Sequence, residues 1–293
     1  MYTSVEIREP MRLKSLYSFF RHHYDSDYSF RGEMHDFWEV VCVTKGRICV
    51  TAGEQVYMLS DGELIVHRPM EFHSFFVDDP DGADVMIFSF TAQTSLRDEL
   101  SQKVFALDAF QNSIIEQMFV FLDARMVGNA AYQERWKLVV EEYESNRWFL
   151  PYMRLLEVDP YALVMAASFA TQLLISLLES EGRSLENTAP DAAVFRVAVD
   201  YLNISVHKTV SVEELSRVVG LSISGLNRLF RKYAGVSVHR YFLMQKIKAA
   251  TEYLQSGISV TETSRRLGFS NQSYFSACFK RETGSNPSEV LKK

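Results

Sequence analysis

Two short stretches near the C-terminal end carry side chains that can contact the bases and phosphates of DNA. The first offers Ser222, Ser224, Asn227, Arg228 and Arg231. The second offers Ser270, Asn271, Gln272, Ser273, Ala277 and Lys280. Arginine can pair with guanine, and asparagine or glutamine with adenine, whereas serine and lysine can bind phosphate. Every surface helix carries a polar face, so one such residue predicts little, but two matched faces favour contact with DNA.

The two stretches belong to two copies of one sequence pattern. Gly220-Leu221-Ser222 opens the first copy, and Gly268-Phe269-Ser270 opens the second 48 residues later. In each copy two apolar residues stand four positions apart, and glycine follows five positions after the second of them. These residues are Leu226, Phe230 and Gly235, then Phe275, Phe279 and Gly284. Two similar units at a fixed separation suggest a periodic partner, and double-stranded DNA is the obvious one.

Helical periodicity and end signals predict helix-turn-helix units around these residues. Ser211, with Glu214 three positions later, forms a capping-box pattern before a helix that ends at Gly220. The next helix carries the first polar face, and a longer helix leads to the second unit. The predicted helices span about 192–204, 211–219, 222–234, 238–255, 259–267 and 271–283, with a last short helix from Pro287.

The charge of the chain is divided unevenly. From Asp191 onward there are 15 basic and 8 acidic residues, whereas residues 1–190 contain 16 basic and 29 acidic ones. The C-terminal third therefore carries +7 and the rest −13, within a total of −6. A basic module on an acidic chain is typical of nucleic-acid binding, although a basic surface that is merely solvated would look the same.

A second chemical cluster is predicted in the acidic part. Residues 30–90 contain short strand-like runs, broken by turn signals at Lys45-Gly46, Ala52-Gly53 and Asp61-Gly62. Glu33, His35 and Glu39 share one face of an extended segment by their even spacing. Imidazole and carboxylate suit a divalent transition metal.

The region after the strands is predicted to be helical. Stretches 96–124, 131–147 and 160–180 have apolar residues at helical spacing, and polar residues 181–191 form a linker. Segments 108–124 and 161–178 could form a dimer interface or pack on the strands within one subunit, and the sequence leaves both open. The predicted divisions are 1–95 for an effector-sensing barrel, 96–180 for helical dimerisation or packing, 181–191 for the linker and 192–293 for DNA binding.

The C-terminal third resembles the DNA-binding domain of the AraC/XylS family of bacterial transcription regulators. The motifs are LSRVVGLSISGLNRLFRKYAG, KIKAATEYL and RRLGFSNQSYFSACFKRETGSNP. The resemblance implies two helix-turn-helix units joined by the long helix, with recognition helices in successive major-groove segments roughly 34 Å apart. It assigns base contacts to Ser224, Asn227, Arg228, Gln272, Ser273 and Ala277. Ala277 stands where relatives often have a long polar residue, so we expect the first unit to contribute more of the hydrogen-bond readout.

The strand-rich part resembles the cupin-like barrel of many such regulators, through His35-x-x-x-Glu39, Gly46, Gly62, Pro69 and His73. Metal-binding cupins supply two histidines and a glutamate from one strand and a third histidine later. Here Glu33 replaces the first histidine, and the spacing before His73 is one residue short. We therefore expect no metal or other cofactor. A structural hydrogen-bonding role for His35 and His73, contact with an organic effector, and a metal site are the three alternatives.

These observations predict an α+β protein, with an N-terminal cupin-like β-barrel, following helices and an all-α C-terminal domain of two helix-turn-helix units. The expected function is sequence-specific regulation at promoter DNA, with activation favoured. The expected effector is a small molecule, such as a carbohydrate, near His35, Phe37, Glu39 and His73. We expect a homodimer that works with RNA polymerase as an activator, and a non-enzyme. The alternatives are a cupin-type metalloenzyme fused to a DNA-targeting module and a regulator controlled by a protein partner.

The protein is also expected to be cytoplasmic and not to associate with a membrane. The three cysteines, Cys42, Cys49 and Cys278, form no C-x-x-C pair and are typical of reduced thiols. Polar residues interrupt the longest apolar run, from Tyr161 to Leu178, and the N-terminus lacks a secretory signal pattern.

Overall fold

The computed structural model describes residue 6 and residues 10–94, 97–101, 103–134, 150–182 and 189–291. The N-terminal part consists of two antiparallel sheets. Their order is β1-β7-β2-β5-β8 in one sheet and β4-β3-β6 in the other. The strands are β1 (Met11–Tyr24), β2 (Trp38–Lys45), β3 (Arg47–Ala52), β4 (Gln55–Ser60), β5 (Glu63–His67), β6 (His73–Val77), β7 (Ala83–Thr94) and β8 (Val104–Ala106).

All three predicted turns are present, but only the turn at Gly53 closes a hairpin, because β3 pairs with β4 whereas the turns at Gly46 and Gly62 lead from one sheet to the other. Gly46, Gly53 and Gly62 separate successive strands from β2 to β5, with φ values of 83°, 60° and 72°. Gly46 also lies where two backbones meet, because a Cβ there would stand 2.4 Å from the carbonyl oxygen of Gly82. A larger residue at this corner would force the β2–β3 turn away from the loop before β7.

Strands β1 and β8 were not predicted. β1 is the edge partner of β7, and its sequence, MRLKSLYSFFRHHY, alternates poorly because much of it is exposed. β8 lies inside the predicted helical stretch 96–124 and pairs with β5. That stretch is therefore divided into a short helix, a strand and a long helix, because three of its apolar residues extend the barrel sheet.

The helices after the barrel are α1 (Arg97–Leu100), α2 (Ala109–Gly128), α3 (Leu150–Val158) and α4 (Pro160–Ser176), with a 3-10 turn at Leu177–Glu179. Most of the predicted helix 131–147, and residues 183–188 of the predicted linker, lie outside the described residues. Asp159 caps α4 by accepting from the backbone amides of Tyr161 and Ala162. The buried faces of α2 and α4 join one hydrophobic core with the barrel.

One helical segment, Pro160–Glu179, is long and apolar enough to cross a membrane by length and composition, with a mean hydropathy of 1.8. It packs against α2, α3 and β1 along Ala162, Ala166, Ala170 and Leu173. This face serves as part of the core of a folded domain.

The C-terminal helices agree with prediction to within two residues at their ends. They are α5 (Pro190–Ile204), α6 (Val212–Val219), α7 (Ile223–Ala234), α8 (Val238–Gln255), α9 (Val260–Arg266), α10 (Gln272–Thr283) and α11 (Pro287–Val290). Ser211 caps α6 as predicted. The side chain of Glu214 instead accepts a hydrogen bond from the Tyr201 hydroxyl of α5 at 2.5 Å, so it ties two helices together.

The two helix-turn-helix units have different cores. The second unit packs around Ile247, Phe275 and Phe279 of its own helices. The core of the first unit, around Phe195, Phe230 and Tyr241, also includes Met34, Cys49, Val56 and Phe72 of the barrel. The first unit is therefore docked on the barrel by apolar packing.

Candidate DNA interface and sensor cluster

The first recognition helix, α7, presents the polar face that its sequence predicts. Ser222 caps the helix by accepting from the Gly225 amide at 3.1 Å. Ser224 and Arg228 are exposed, and Leu226, Leu229 and Phe230 are buried on the opposite side. The Asn227 amide donates to the carbonyl of Ile223 at 3.1 Å, so this side chain must turn to reach a base.

Arg231 has a different environment from Arg228. It is exposed and lines a cleft of about 740 Å³ between the first unit and the barrel, together with Arg31 and Arg240. Arg231 is thus a residue of α7 that also borders the barrel.

The second recognition helix, α10, begins at Asn271, whose side chain accepts from the Tyr274 amide at 2.8 Å. The Gln272 side chain accepts from the Thr261 hydroxyl of α9 at 2.7 Å. The remaining predicted contacts of this unit, Ser270, Ser273, Ala277 and Lys280, are all exposed.

Sequence reasoning missed two apolar side chains near the starts of these helices. Ile223 and Tyr274 are 42% and 44% exposed, although their neighbours Leu226 and Phe275 are fully buried. An apolar side chain here could touch a thymine methyl group. The signal was present, because the helical period that buries Leu226 and Phe275 directs these two outward.

Helix α8 connects the two units and packs against helices of both. The Lys246 ammonium donates to the carbonyls of Val206, Lys208 and Leu267 at 3.0, 2.9 and 2.5 Å. Burial lowers the pKa of Lys246 to about 8. Three carbonyl acceptors nevertheless match the three N–H donors of the charged form, so this geometry favours the ammonium.

The sensor cluster comprises Glu33, His35, Glu39 and His73, whose candidate ligand atoms all lie within 4.8 Å of one another. Glu39 comes from β2 and His73 from β6, and Glu33 forms an isolated β-bridge with His73. Glu39 and His73 are buried, whereas the side chain of Glu33 is 49% exposed and opens the cluster to solvent. The structure thus brings together the four residues that the even spacing and the later histidine suggested.

Backbone carbonyls orient both imidazoles. Nδ1 of His35 lies 3.0 Å from the carbonyl oxygen of Phe37, and Nδ1 of His73 lies 3.0 Å from that of Glu71. A carbonyl can only accept, so each Nδ1 carries a hydrogen and donates it. Both Nε2 atoms are then directed into the cluster, where each is buried and makes no hydrogen bond to a described residue.

Two carboxylates surround the Nε2 atoms. Glu39 lies 3.7 Å from Nε2 of His35 and 3.3 Å from Nε2 of His73, and Glu33 lies 3.8 and 3.7 Å from the same atoms. Although burial lowers the pKa of His73, the nearby carboxylates of Glu33 and Glu39 outweigh it and raise that pKa to about 10. Burial likewise raises the pKa of Glu39, but the two histidines outweigh it and lower that pKa overall.

A second layer of polar residues supports the cluster and was not predicted. Ser89 donates to Glu39 at 2.8 Å. The buried pair His67 and Glu71 lies beside it, with the His67 ring stacked on His73 at 4.5 Å. The only sequence signal was a histidine ending the apolar run ELIVH of β5, which does not reveal a partner four residues later.

Phe37 is one of the four residues near which the effector was predicted to bind. Its ring stacks on His35 at 3.7 Å and on Tyr17 at 4.3 Å, each with an interplanar angle of 9°. Two stacked neighbours leave its edge as the free part. Tyr17 is 50% exposed and is the aromatic side chain that solvent reaches at this place.

Comparison with known proteins identifies two domains in this chain. The AraC-like ligand binding domain matches residues 16–126, and a helix-turn-helix domain matches residues 215–293. The HTH-type transcriptional activator RhaS of Klebsiella pneumoniae is 24% identical over 265 residues, which cover 89% of this chain and 87% of that protein. RhaR of Salmonella schwarzengrund, another transcriptional activator, is 22% identical over 282 residues, covering 89% and 86%.

Among solved structures, ToxT from Vibrio cholerae is similar over 94% of this chain and 98% of its own, with 12% identity and a TM-score of 0.35. The two matched domains lie in the order that the sequence predicted, ligand-binding domain first. They coincide with the sensor cluster and with the two recognition helices. The chain belongs to the AraC family of DNA-binding transcription regulators and carries that family's N-terminal ligand-binding domain.

Proposed function

We propose that this regulator activates transcription when its N-terminal domain binds a small organic effector of the carbohydrate class. The observation that carries the proposal is the pairing of two exposed recognition faces with a polar cluster that opens to solvent through Glu33. Activation is supported by the relatives RhaS and RhaR, which are named transcriptional activators. As an activator the protein would also contact RNA polymerase.

The proposed base contacts come from Ser224, Asn227 and Arg228 of α7 and from Gln272, Ser273 and Ala277 of α10. Of the three in α7, Arg228 has the fewest competing bonds, because it makes no ion pair or hydrogen bond among the described residues, whereas Ser224 and Asn227 each make a hydrogen bond. Phosphate contacts are assigned to residues at the helix starts and to basic side chains. The residues proposed to contact phosphate are Ser222, Arg231, Ser270, Asn271 and Lys280.

The effector is placed at His35, Phe37, Glu39 and His73. Hydroxyl groups can donate to the Glu39 carboxylate and pair with the imidazole Nε2 atoms, which have no hydrogen-bond partner in the described part of the chain. Because both faces of Phe37 are covered, a sugar ring would meet its edge and the exposed ring of Tyr17.

The protein is proposed to be a homodimer that acts in the cytoplasm. Helix α4 has an exposed stripe opposite its buried face, formed by Tyr161, Val164, Met165 and Ile175. Exposed apolar side chains that recur on one helix face favour burial against a second copy of the chain. Because the similar proteins are transcription regulators, the protein is proposed to be a non-enzyme that changes DNA occupancy.

The test begins with selection of DNA fragments by the full-length protein from genomic DNA of its source. Binding to the enriched sequence is measured by fluorescence anisotropy, and transcription from a reporter carrying that sequence is measured with a panel of carbohydrates. We expect preferential binding of one repeated sequence motif and higher transcription with one or a few sugars. Equal binding to enriched and random DNA would refute sequence-specific regulation. Specific binding with lower transcription would refute activation, and no response to any sugar would refute the effector class.

A further inference from the structure

The first turn of each recognition helix exposes one large apolar side chain. Ile223 is the first residue of α7, and Tyr274 is the third residue of α10. They are 42% and 44% exposed, and neither belongs to the core of its unit. In a helix-turn-helix unit the N-terminal residues of the recognition helix approach the base edges. Both side chains therefore lie where bound DNA would cover them.

Ile223 shares the exposed face of α7 with the residues that are proposed to read bases. The Asn227 amide donates to the Ile223 carbonyl at 3.1 Å, so Asn227 lies one turn further along the same face. Ser224 and Arg228 form the adjacent row of that face, and both are exposed. An apolar side chain thus lies beside hydrogen-bonding groups on the surface that would enter the major groove.

Tyr274 has a matching place on α10. It follows Gln272 and Ser273 and precedes Ala277 by three residues, which is about one helical turn. The side chain of Ala277 is a single methyl group, where the family often has a long polar residue. The Tyr274 ring therefore supplies most of the reach of this face towards a base edge.

Two contacts hold the Tyr274 ring on the surface of the helix. The ring centroid lies 6.1 Å from that of Phe269, in the turn before α10, at an interplanar angle of 56°. The hydroxyl interacts with the thiol of Cys278, one turn further along α10. A side chain that is held in place before DNA arrives loses little conformational freedom on binding. The exposed part of the ring is thus a preformed apolar surface.

The major groove presents one apolar group, the C5-methyl of thymine, whereas cytosine presents an amino group on its major-groove edge. Contact with the methyl removes apolar surface of both partners from water, but contact with the amino group would leave a hydrogen-bond donor unpaired. We propose that Ile223 and Tyr274 each select a thymine through contact with its methyl group. This inference rests on the proposed function, because it requires that both recognition helices enter the major groove.

The target sequence should reflect the separation of the two helices. If they enter successive major-groove segments, the two selected thymines lie about one helical turn apart, which is roughly 10 base pairs. The selected DNA, which is the sequence enriched from genomic DNA, should contain both thymines. A selected sequence without a pair of thymines at about this separation would overturn the proposal.

The test replaces single thymines of the selected DNA by uracil, which removes the methyl group and keeps the hydrogen-bonding edge. Binding of the full-length protein to each substituted DNA is measured by fluorescence anisotropy. We expect uracil at the two positions to weaken binding about threefold to fourfold each, as expected for one buried methyl group.

Ile223→Ala and Tyr274→Ala assign each thymine to one helix. Each variant should weaken binding to the thymine DNA and abolish the uracil effect at one position while leaving it at the other. Val218→Ala is the matched control, because Val218 is also exposed, at 45%, but lies on α6 outside the recognition helices. This control should keep both uracil effects.

Two further variants of Tyr274 keep the test decisive. Tyr274→Phe retains the ring and should retain the uracil effect, because the apolar contact does not use the hydroxyl. Loss of the effect in Tyr274→Phe would overturn the apolar contact. If Tyr274→Ala loses helical structure, as judged by circular dichroism, Tyr274→Gln replaces it, since glutamine is long but lacks the apolar ring.

The remaining outcomes separate this inference from the function on which it rests. Equal affinity for all thymine and uracil DNAs, despite sequence-specific binding, would refute the methyl contacts alone. Uracil effects that persist in both alanine variants would show that other side chains contact the methyl groups, and would also overturn the proposal. Equal binding of the wild-type protein to selected and random DNA would instead refute the proposed function.

Discussion

At the scale of single residues, the two arginines of α7 show what exposure alone does not reveal. Arg228 is exposed and makes no hydrogen bond or ion pair within the described chain, so its guanidinium can reach a base edge without losing a partner. Arg231 lines the cleft against the barrel. Arg228 is therefore the better candidate for direct readout, and Arg231 for a phosphate contact.

We predict that Arg228→Ala weakens binding to the selected DNA by about 1–3 kcal/mol, as expected for loss of one bidentate contact to guanine. Binding to random DNA should change much less, because phosphate contacts supply most of that affinity. The measurement is anisotropy on both DNAs at one salt concentration. Arg231→Ala is the comparison and should weaken both complexes alike. Equal losses for Arg228→Ala on both DNAs would show that Arg228 only contacts phosphate.

The sequence predicted the polar faces of α7 and α10, although not the exposed Ile223 and Tyr274, because helical period and the two glycine ends are local properties. It did not predict that Phe37 is covered on both faces or that Arg231 borders the barrel. Those facts depend on Tyr17 in β1 and on the docking of two domains. Contacts between segments far apart in sequence leave no periodic signal in either segment.

At the scale of elements, three helix ends use glycine in the left-handed conformation but differ in surroundings. Gly220, Gly235 and Gly284 end α6, α7 and α10 with φ of 69°, 64° and 75°. Among the described residues, a Cβ on Gly220 or Gly284 would meet no atom within 4 Å, whereas a Cβ on Gly235 would lie 2.7 Å from Cα of Arg31. The close approach at Gly235 is what lets the barrel reach the last carbonyls of α7.

We predict that Gly284→Ala lowers the free energy of unfolding by about 1–2 kcal/mol, the cost of a left-handed alanine. Gly235→Ala should cost clearly more, because the added methyl also collides with backbone of the barrel. Chemical denaturation of the full-length variants measures both values. Equal losses would mean that the barrel yields to the methyl group without cost, and that the docking contact is looser than the distances indicate.

Helix α8 carries a buried lysine that bonds to two neighbouring segments. The Lys246 ammonium satisfies carbonyls from the α5–α6 loop and from the end of α9, so Lys246→Met should leave buried acceptors unpaired. We expect a loss of about 1–3 kcal/mol in unfolding free energy. Lys248→Met is the matched control, since Lys248 is only half-buried on the same helix. A loss no greater than that of the control would show that water replaces the ammonium.

At the scale of the whole molecule, the first helix-turn-helix unit packs against the barrel, and the second packs within the C-terminal domain. The first unit shares a core with Phe72 and Met34, whereas the second has a core of its own. A change in the barrel therefore acts directly on the first unit and reaches the second through α8. The uneven charge along the chain predicted two functions, but it did not predict the shared core. A buried phenylalanine such as Phe72 does not reveal from sequence alone whether it packs inside the barrel or against another domain.

Helix α4 has one buried face and one exposed face. It buries its small residues within the subunit and exposes Tyr161, Val164 and Met165. If this exposed stripe meets a second copy, a carboxylate there would be buried without a partner, which is costly. We predict that Val164→Glu raises the dimer dissociation constant at least about tenfold. Analytical ultracentrifugation over a range of protein concentrations measures it.

The matched control is Val197→Glu, because Val197 of α5 is also exposed, at 52% against 67% for Val164, but lies in the C-terminal domain. This variant should keep the wild-type dissociation constant. The monomeric Val164→Glu protein should still bind a single copy of the DNA motif, since both recognition helices come from one chain, but it should lose affinity for two adjacent copies. A wild-type protein that is monomeric at all concentrations, or a Val164→Glu variant that dimerises as well as the wild type, would place the self-association surface elsewhere.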